Sequence, residues 1–166
     1  MKKRYAALIF CAIGLLLGSI TSEAKKKPSV TAESAIVMDV QSGAILYEKN
    51  IDKREYPASI TKVMTALVAI ENSSLSETVT YSRNAVTNLE SGASNIEIQP
   101  GEKLSMEDSL YAILLMSANE ACNGVAEHVA GSIDNFVAMM NQKAKELGCT
   151  GTHFANTNGL WQQDHY

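Results

Sequence analysis

Ser59 and Lys62 stand three residues apart at the head of an apolar segment. On a helix that spacing puts a hydroxyl and an amine on one face. A serine is a weak nucleophile until a base removes its proton, and a lysine can be that base only when neutral. Its reference pKa of about 10.4 must then fall by ~3 units, a cost on the order of 4 kcal/mol. Burial against apolar side chains and the positive end of a helix dipole both push that way. Lys62 falls in the first turn of the predicted helix, and the nearby backbone N–H of Ser59 is a candidate donor to an oxyanion. The pair therefore predicts acyl transfer by a serine whose base is a lysine. A second reading makes Ser59 a hydroxyl cap on an ordinary amphipathic helix. Ser-x-x-Lys arises by chance roughly once in a chain this long, and Ser22–Lys25 is another match.

A further pair of polar residues, Ser117 and Asn119, interrupts an otherwise continuous helical pattern. A hydroxyl and an amide at a helix–helix junction point to function, whereas a plain loop with Asn119 as N-cap is the simpler account. Ser-x-Asn recurs at Ser82–Asn84, so the tripeptide alone does not decide between them.

These residues need elements to hold them. Two short apolar runs, Ala35–Val40 and Ala44–Tyr47, flank Gln41-Ser42-Gly43 and read as a β-hairpin. A helix follows from near Ser59, with Ile60, Val63, Met64, Leu67 and Val68 as its apolar stripe and Pro57 just ahead of it. Residues 73–103 are polar and turn-rich, with one strand near Thr78–Tyr81 and a type II turn at Pro100-Gly101. Ser105 caps the next helix, whose buried face is Leu110, Ile113 and Leu114. The pattern resumes after Asn119 and stops at Gly131. Ser132 caps a last helix with Ile133, Phe136, Val137, Met140, Ala144 and Leu147 on one side and Gly148 beyond it. The stretch 150–166 reads as loop. A two-stranded hairpin is marginal alone, so the chain is expected to be poorly stable as it stands.

The N-terminus reads as a cleaved export signal over residues 1–24. Lys2, Lys3 and Arg4 precede an apolar run from Ala6 to Leu17, and Ser22-Glu23-Ala24 offers small residues at the cleavage positions. The run is short for a membrane span, and Phe10 before Cys11 does not suit lipoprotein cleavage. Residues 25–32 then form an arm, and 33–166 a single domain. The leader carries three positive charges and one negative, so the net charge of −4 becomes −6 on its removal. An acidic domain without a basic stripe argues against nucleic acid. Of the remaining cysteines, Cys122 sits on a predicted apolar helix face, which favours a free thiol over a bridge to Cys149. His128, His153 and His165 are isolated and no Cys/His spacing suggests zinc, so neither metal nor cofactor is expected.

With these residues in view, the segment Tyr56–Thr65 closely resembles the active-site segment of the D-alanyl-D-alanine carboxypeptidases, the low-molecular-weight penicillin-binding proteins. Leu115–Cys122 resembles their second motif, Ile98–Ser105 the turn ahead of it, and Phe154–Leu160 with His165-Tyr166 a later loop. The resemblance implies an α/β (α+β) domain of the β-lactamase/transpeptidase-like fold, built as an N-terminal hairpin plus a helical cluster. It implies Ser59 as acyl-ester nucleophile, Lys62 as general base, Ser117 as proton relay and Asn119 as a substrate-binding residue. The implied partners are a peptidoglycan stem peptide ending in D-Ala-D-Ala and β-lactams, on the cell-wall side or in the periplasm. The family's third motif, Lys-Thr-Gly, is not matched. Cys149-Thr150-Gly151 is the nearest tripeptide and has no cation. The strands bearing that motif, and any membrane anchor, are expected beyond Tyr166. A fragment of a longer product and a truncated non-catalytic relative are both compatible with this. Class A β-lactamases share the first motif but carry Ser-Asp-Asn and a later glutamate. Here Ala118 is the middle residue and no glutamate follows Glu146, which favours the carboxypeptidase.

Overall fold

The computed structural model describes residues 28–87 and 89–166. The expected leader at 1–24 and the first residues of the arm lie outside the described residues. The chain divides after Ile51 into two units.

The first unit is the expected hairpin. Strand β1 (Ala35–Met38) pairs antiparallel with β2 (Ile45–Lys49). Gly43 takes φ +71°, and Asp39 closes the turn by exchanging backbone bonds with Gly43 and Ala44. The register slips between Val37 and Met38, so Leu46 forms a bulge. Ile36, Val37, Met38 and Ile45 are each about half exposed, the condition that leaves an isolated hairpin marginal.

The second unit is a cluster of helices with one small sheet. A 3-10 turn at Ala58–Ile60 leads into α1 (Thr61–Asn72). Strand β3 (Thr78–Thr80) pairs with β4 (Lys103–Ser105), which the sequence reading does not anticipate, and a short α2 (Arg83–Val86) lies between them. The Pro100-Gly101 turn joins this ladder: Glu102 N–H donates to the Gln99 carbonyl at 3.1 Å, and Gly101 has φ +90°. Then come α3 (Met106–Leu115), α4 (Asn119–Ala130) and α5 (Ile133–Glu146). Ser105 and Ser132 are the N-caps, accepting from the backbone of Asp108 and Asn135. Gly148 follows α5 with φ +80°. Among the described residues the four strands form two separate two-stranded sheets.

Helix α4 is the hub. Its residues Asn119 to Cys122 and Gly124 to Ala126 are buried, and it packs against α1, α2, α3, α5 and β3. Gly124 allows the approach of Tyr81, since a Cβ there would stand 2.3 Å from the ring. The Tyr81 hydroxyl donates to Ser109 Oγ at 2.8 Å, and burial pushes its pKa up to about 12.

Three details differ from the sequence reading. The buried face of α1 is Thr61, Lys62, Thr65, Ala66, Val68 and Ala69, while Ile60 and Val63 are 74% and 62% exposed. Hydrogen-bond partners from residues 157–165 meet the polar side chains, so the apolar stripe holds at Val68 and at half-buried Met64 and Leu67 but not at Ile60 and Val63. Leu114 and Leu147 are exposed, and Leu147 lies past the end of α5 as its C-cap. Asn119 is the first residue of α4 and not its N-cap. That position belongs to Ala118, because the Asn119 side chain is engaged elsewhere. Cys122 and Cys149 are both free thiols, as expected.

Candidate active site

The backbone ahead of α1 is shaped to present Ser59. Pro57 lies in the helical region and Ala58 in the left-handed one, with φ +48°. A non-glycine residue there is strained by roughly 1–2 kcal/mol and needs its surroundings to hold it. Gly159 is part of that support. A Cβ on Gly159 would fall 1.8 Å from the Ala58 carbonyl oxygen, so only glycine allows the two backbones to meet. Ser59 itself is exposed, and Lys62, one turn on, is 3% exposed.

Lys62 Nζ is the centre of the site. It donates to the Asn158 carbonyl at 2.7 Å, to Asn119 Oδ1 at 2.9 Å and to Ser59 Oγ at 3.2 Å. Three acceptors match the three hydrogens of an ammonium. In the neutral amine the two closer acceptors keep the two hydrogens, and the lone pair is left along the longest contact, toward Ser59 Oγ–H. Burial holds the Lys62 pKa below its ordinary value, opposed by the charge that Cys122 would carry as thiolate. Burial raises Cys122 to about 12, so near neutral pH it is an uncharged thiol and the opposition lapses.

Ser117 completes the row. It occupies the break between α3 and α4 with φ +55°, and Ala118 N–H donates to the Ala112 carbonyl at 3.1 Å beside it. Ser117 Oγ lies 3.0 Å from Ser59 Oγ. The break is thus a strained turn that brings a second hydroxyl to the first. Asn119 is tied on both sides: Oδ1 accepts from Lys62, and Nδ2 donates to the Ser94 carbonyl at 2.8 Å. One lone pair and one hydrogen of its amide remain for a ligand. All four residues singled out in the sequence therefore meet within hydrogen-bond reach of one another, in a chain Asn119–Lys62–Ser59–Ser117.

The loop 154–166 supplies what sequence reasoning misses. Asn156 Oδ1 accepts from the backbone of Asn158 and Gly159, an Asx turn that aims the Asn158 carbonyl at Lys62. Thr65 Oγ1 donates to the Thr157 carbonyl, and Thr157 Oγ1 to Asn123 Oδ1, strapping the loop to α1 and α4. The Asn-Thr-Asn-Gly run signals a turn, but nothing local in it says which carbonyl will meet a lysine 96 residues away.

His165 fastens the end of the loop. Its Nδ1 accepts from Ala155 N–H at 3.1 Å, so Nε2 carries the proton and donates to Thr61 Oγ1 at 2.7 Å. Protonation would set an Nδ1–H against the Ala155 N–H. Burial, with the nearby His153 second, lowers its pKa from 6.5. Below that value the unfolded chain takes up the proton more readily than the folded one, so stability is full above it and falls as pH drops. Denaturant midpoints of wild type and His165→Gln at pH 7.5 and 5.0 test this. The wild type is expected to lose more over that interval, and equal losses would discard the assignment.

Comparison with known proteins follows the same residues. A family model described as D-alanyl-D-alanine carboxypeptidase matches residues 21–166. The chain is 35% identical to D-alanyl-D-alanine carboxypeptidase DacF of Bacillus subtilis, over 99% of this chain and 44% of that protein. With DacC of Escherichia coli the identity is 37%, over 80% and 35%. The chain thus spans less than half the length of these relatives. The crystal structure of DacD from Francisella tularensis superposes with a TM-score of 0.78 at 35% identity, over 85% of this chain and 35% of that one. Penicillin binding protein 5 from Haemophilus influenzae gives 0.79 at 32% identity, over 85% and 42%. The hairpin and helical cluster therefore have the fold of the corresponding part of these proteins, and the chain belongs to the D-alanyl-D-alanine carboxypeptidase family.

Proposed function

We propose that this chain carries the nucleophile, base and relay of a serine D-Ala-D-Ala carboxypeptidase acting on peptidoglycan stem peptides. The observation that carries the reading is the position of Lys62 Nζ, buried and 3.2 Å from Ser59 Oγ, with its other two acceptors closer. Ser59 Oγ attacks the carbonyl of the penultimate D-alanine while its proton passes to the neutral Lys62 amine. The C–N bond of the tetrahedral intermediate then breaks. Ser117 Oγ, 3.0 Å from Ser59 Oγ, hands a proton to the departing D-alanine nitrogen and takes one in turn from the Lys62 ammonium, since the acylated Ser59 oxygen has none to relay. Water, deprotonated by Lys62, hydrolyses the ester and frees Ser59. The remaining hydrogen and lone pair of the Asn119 amide hold the substrate amide. A donor to the oxyanion is the N–H of Ser59, in the first turn of a helix where intrahelical partners are lacking. β-Lactams acylate Ser59 as mimics of the same substrate.

A substrate in the cell wall requires export, and the basic, apolar and small residues of 1–24 have that pattern. Among the described residues no helix is long and apolar enough to cross a membrane. The test is labelling by a fluorescent penicillin. The chain is expected to form a covalent adduct that Ser59→Ala abolishes. No adduct on the folded chain would refute acyl transfer by this polypeptide and leave the non-catalytic alternative. Rapid turnover of a chromogenic cephalosporin would point to a β-lactamase.

A further inference from the structure

We infer that Glu120 is a positioning residue for the acyl-transfer site, acting through the loop 89–97 on the amide of Asn119. The inference rests on the acyl-transfer reading for its kinetic consequence, and on geometry alone for the coupling itself.

Asn119 is useful only with its amide the right way round, because an exchanged oxygen and nitrogen would aim Nδ2 at the Lys62 amine. What sets that orientation is the Ser94 carbonyl, which accepts both Asn119 Nδ2 at 2.8 Å and Asn119 N–H at 3.0 Å. Ser94 itself lies on an exposed loop. From 89 to 97, Leu89 and Ala93 are half-buried and the other described residues exposed. Among the described residues the other hydrogen bonds of this loop are short-range, such as Ala93 N–H to the Glu90 carbonyl and Asn95 Nδ2 to the Ala93 carbonyl. Beside it lies an open cleft of about 270 Å³ lined in part by Val86, Leu89, Asn95, Glu97, Ile98 and Glu120.

Its tether is the next residue of α4. Glu120 is 1% exposed, and its Oε1 accepts from Ile96 N–H at 2.6 Å. Its Oε2 is buried with no hydrogen-bond partner. A buried carboxylate with one oxygen unpaired is expensive, and its place in the first turn of α4 offsets part of that cost through the helix dipole. Among the described residues the carboxylate thus grips one donor, and that donor is two residues from the carbonyl that orients Asn119. Neighbouring residues of one helix terminus hold the loop at two points, Ser94 and Ile96. Releasing the second lets the first move, and Asn119 with it.

Three variants and two readouts decide this. Glu120→Ala removes the acceptor, Ile96→Pro removes the donor while leaving Glu120 in place, and Glu120→Gln keeps an acceptor for Ile96. Hydrogen exchange is read at the Ile96, Asn119 and Met140 amides. Glu120→Ala and Ile96→Pro are expected to lower protection of Asn119 at least about tenfold while Met140 in α5 is unchanged, which a general loss of stability would not do. In Glu120→Gln the protection of both Ile96 and Asn119 should be retained. Acylation by the fluorescent penicillin should slow about tenfold or more in the first two variants, with an altered pH profile, and return to within about threefold of wild type in Glu120→Gln. Asn119 protection that survives in Glu120→Ala or Ile96→Pro overturns the coupling, as does Glu120→Gln behaving like Glu120→Ala. If the wild type is never labelled, the acyl-transfer reading fails and the exchange measurement still decides the tether.

Discussion

Replacing Lys62 by methionine is expected to slow acylation of Ser59 by a β-lactam about 10³-fold, within the range of general-base contributions. Methionine matches the length of the lysine stem and fills the same buried path, so the loss isolates the amine. Lys62→Arg sharpens the test, because a guanidinium keeps donors for Asn119 and Asn158 but cannot lose its proton near neutral pH. If Lys62 only held its neighbours or attracted an anion, arginine would restore much of the rate. If Lys62 takes the Ser59 proton, arginine would be as slow as methionine. The methionine variant leaves Asn119 Oδ1 and the Asn158 carbonyl without this donor, at about 1–3 kcal/mol for each buried group left unsatisfied, so rates are compared only for protein that still melts cooperatively. The wild-type rate carries its own signature. With the neutral amine as base, acylation is expected to rise with pH through the Lys62 pKa and level above it, and burial places that rise below 10.5. Stopped-flow acylation across pH measures both. A methionine variant within about threefold of wild type would exclude Lys62 as base.

The surroundings of this lysine are legible in the sequence only in part. Ser59 and Lys62 are legible because a three-residue spacing on a helix is local information, and Ser117 is legible because it breaks a good helical pattern. The structure adds that Ser117 and Asn119 face Ser59 and Lys62 across the α3–α4 junction. What spacing does not reveal is the third partner of Lys62, a backbone carbonyl. Any residue carries one, and its placement depends on a loop folding back from 158 to 62. The apolar stripe of α1 misleads at Ile60 and Val63 for the same reason. Thr61 and Thr65 lie off that stripe, yet they are buried beside Lys62 because His165 and Thr157, like Asn158 for the lysine, satisfy them from far along the chain. The caps at Ser105 and Ser132, the hairpin at 41–43 and the turn at Pro100-Gly101 depend on a few neighbouring residues, and they lie where the sequence puts them. Strand β4 is missed because its three residues form a strand only by pairing with β3.

Gly159→Ala is expected to damage the site and the fold together, whereas the same change at Gly148 should cost only the strain of a left-handed alanine. Both glycines have positive φ, +85° and +80°. An alanine in that region costs roughly 1–2 kcal/mol. At Gly148 the new methyl meets nothing within 4 Å. At Gly159 it would stand 1.8 Å from the Ala58 carbonyl oxygen, 2.4 Å from its carbon and 3.0 Å from Thr61 Oγ1. Two of those atoms are backbone and cannot rotate away, so one chain must shift. Ala58 is the residue whose left-handed turn presents Ser59, and Asn158, on the other side, gives the carbonyl that holds Lys62. Either movement separates Ser59 Oγ from Lys62 Nζ, and displacements near 1 Å between reacting groups cost about 10²-fold in rate. Gly159→Ala is therefore expected to lower penicillin acylation by about 10²-fold or more and to lose about 3 kcal/mol or more of stability, a drop in Tm on the order of 10 °C. Gly148→Ala should acylate at the wild-type rate with a Tm lower by a few degrees. Melting curves and labelling rates of the two variants, taken side by side, make the comparison. Equal and mild effects at both positions would mean that the contact between Gly159 and Ala58 does not hold Ser59 in place.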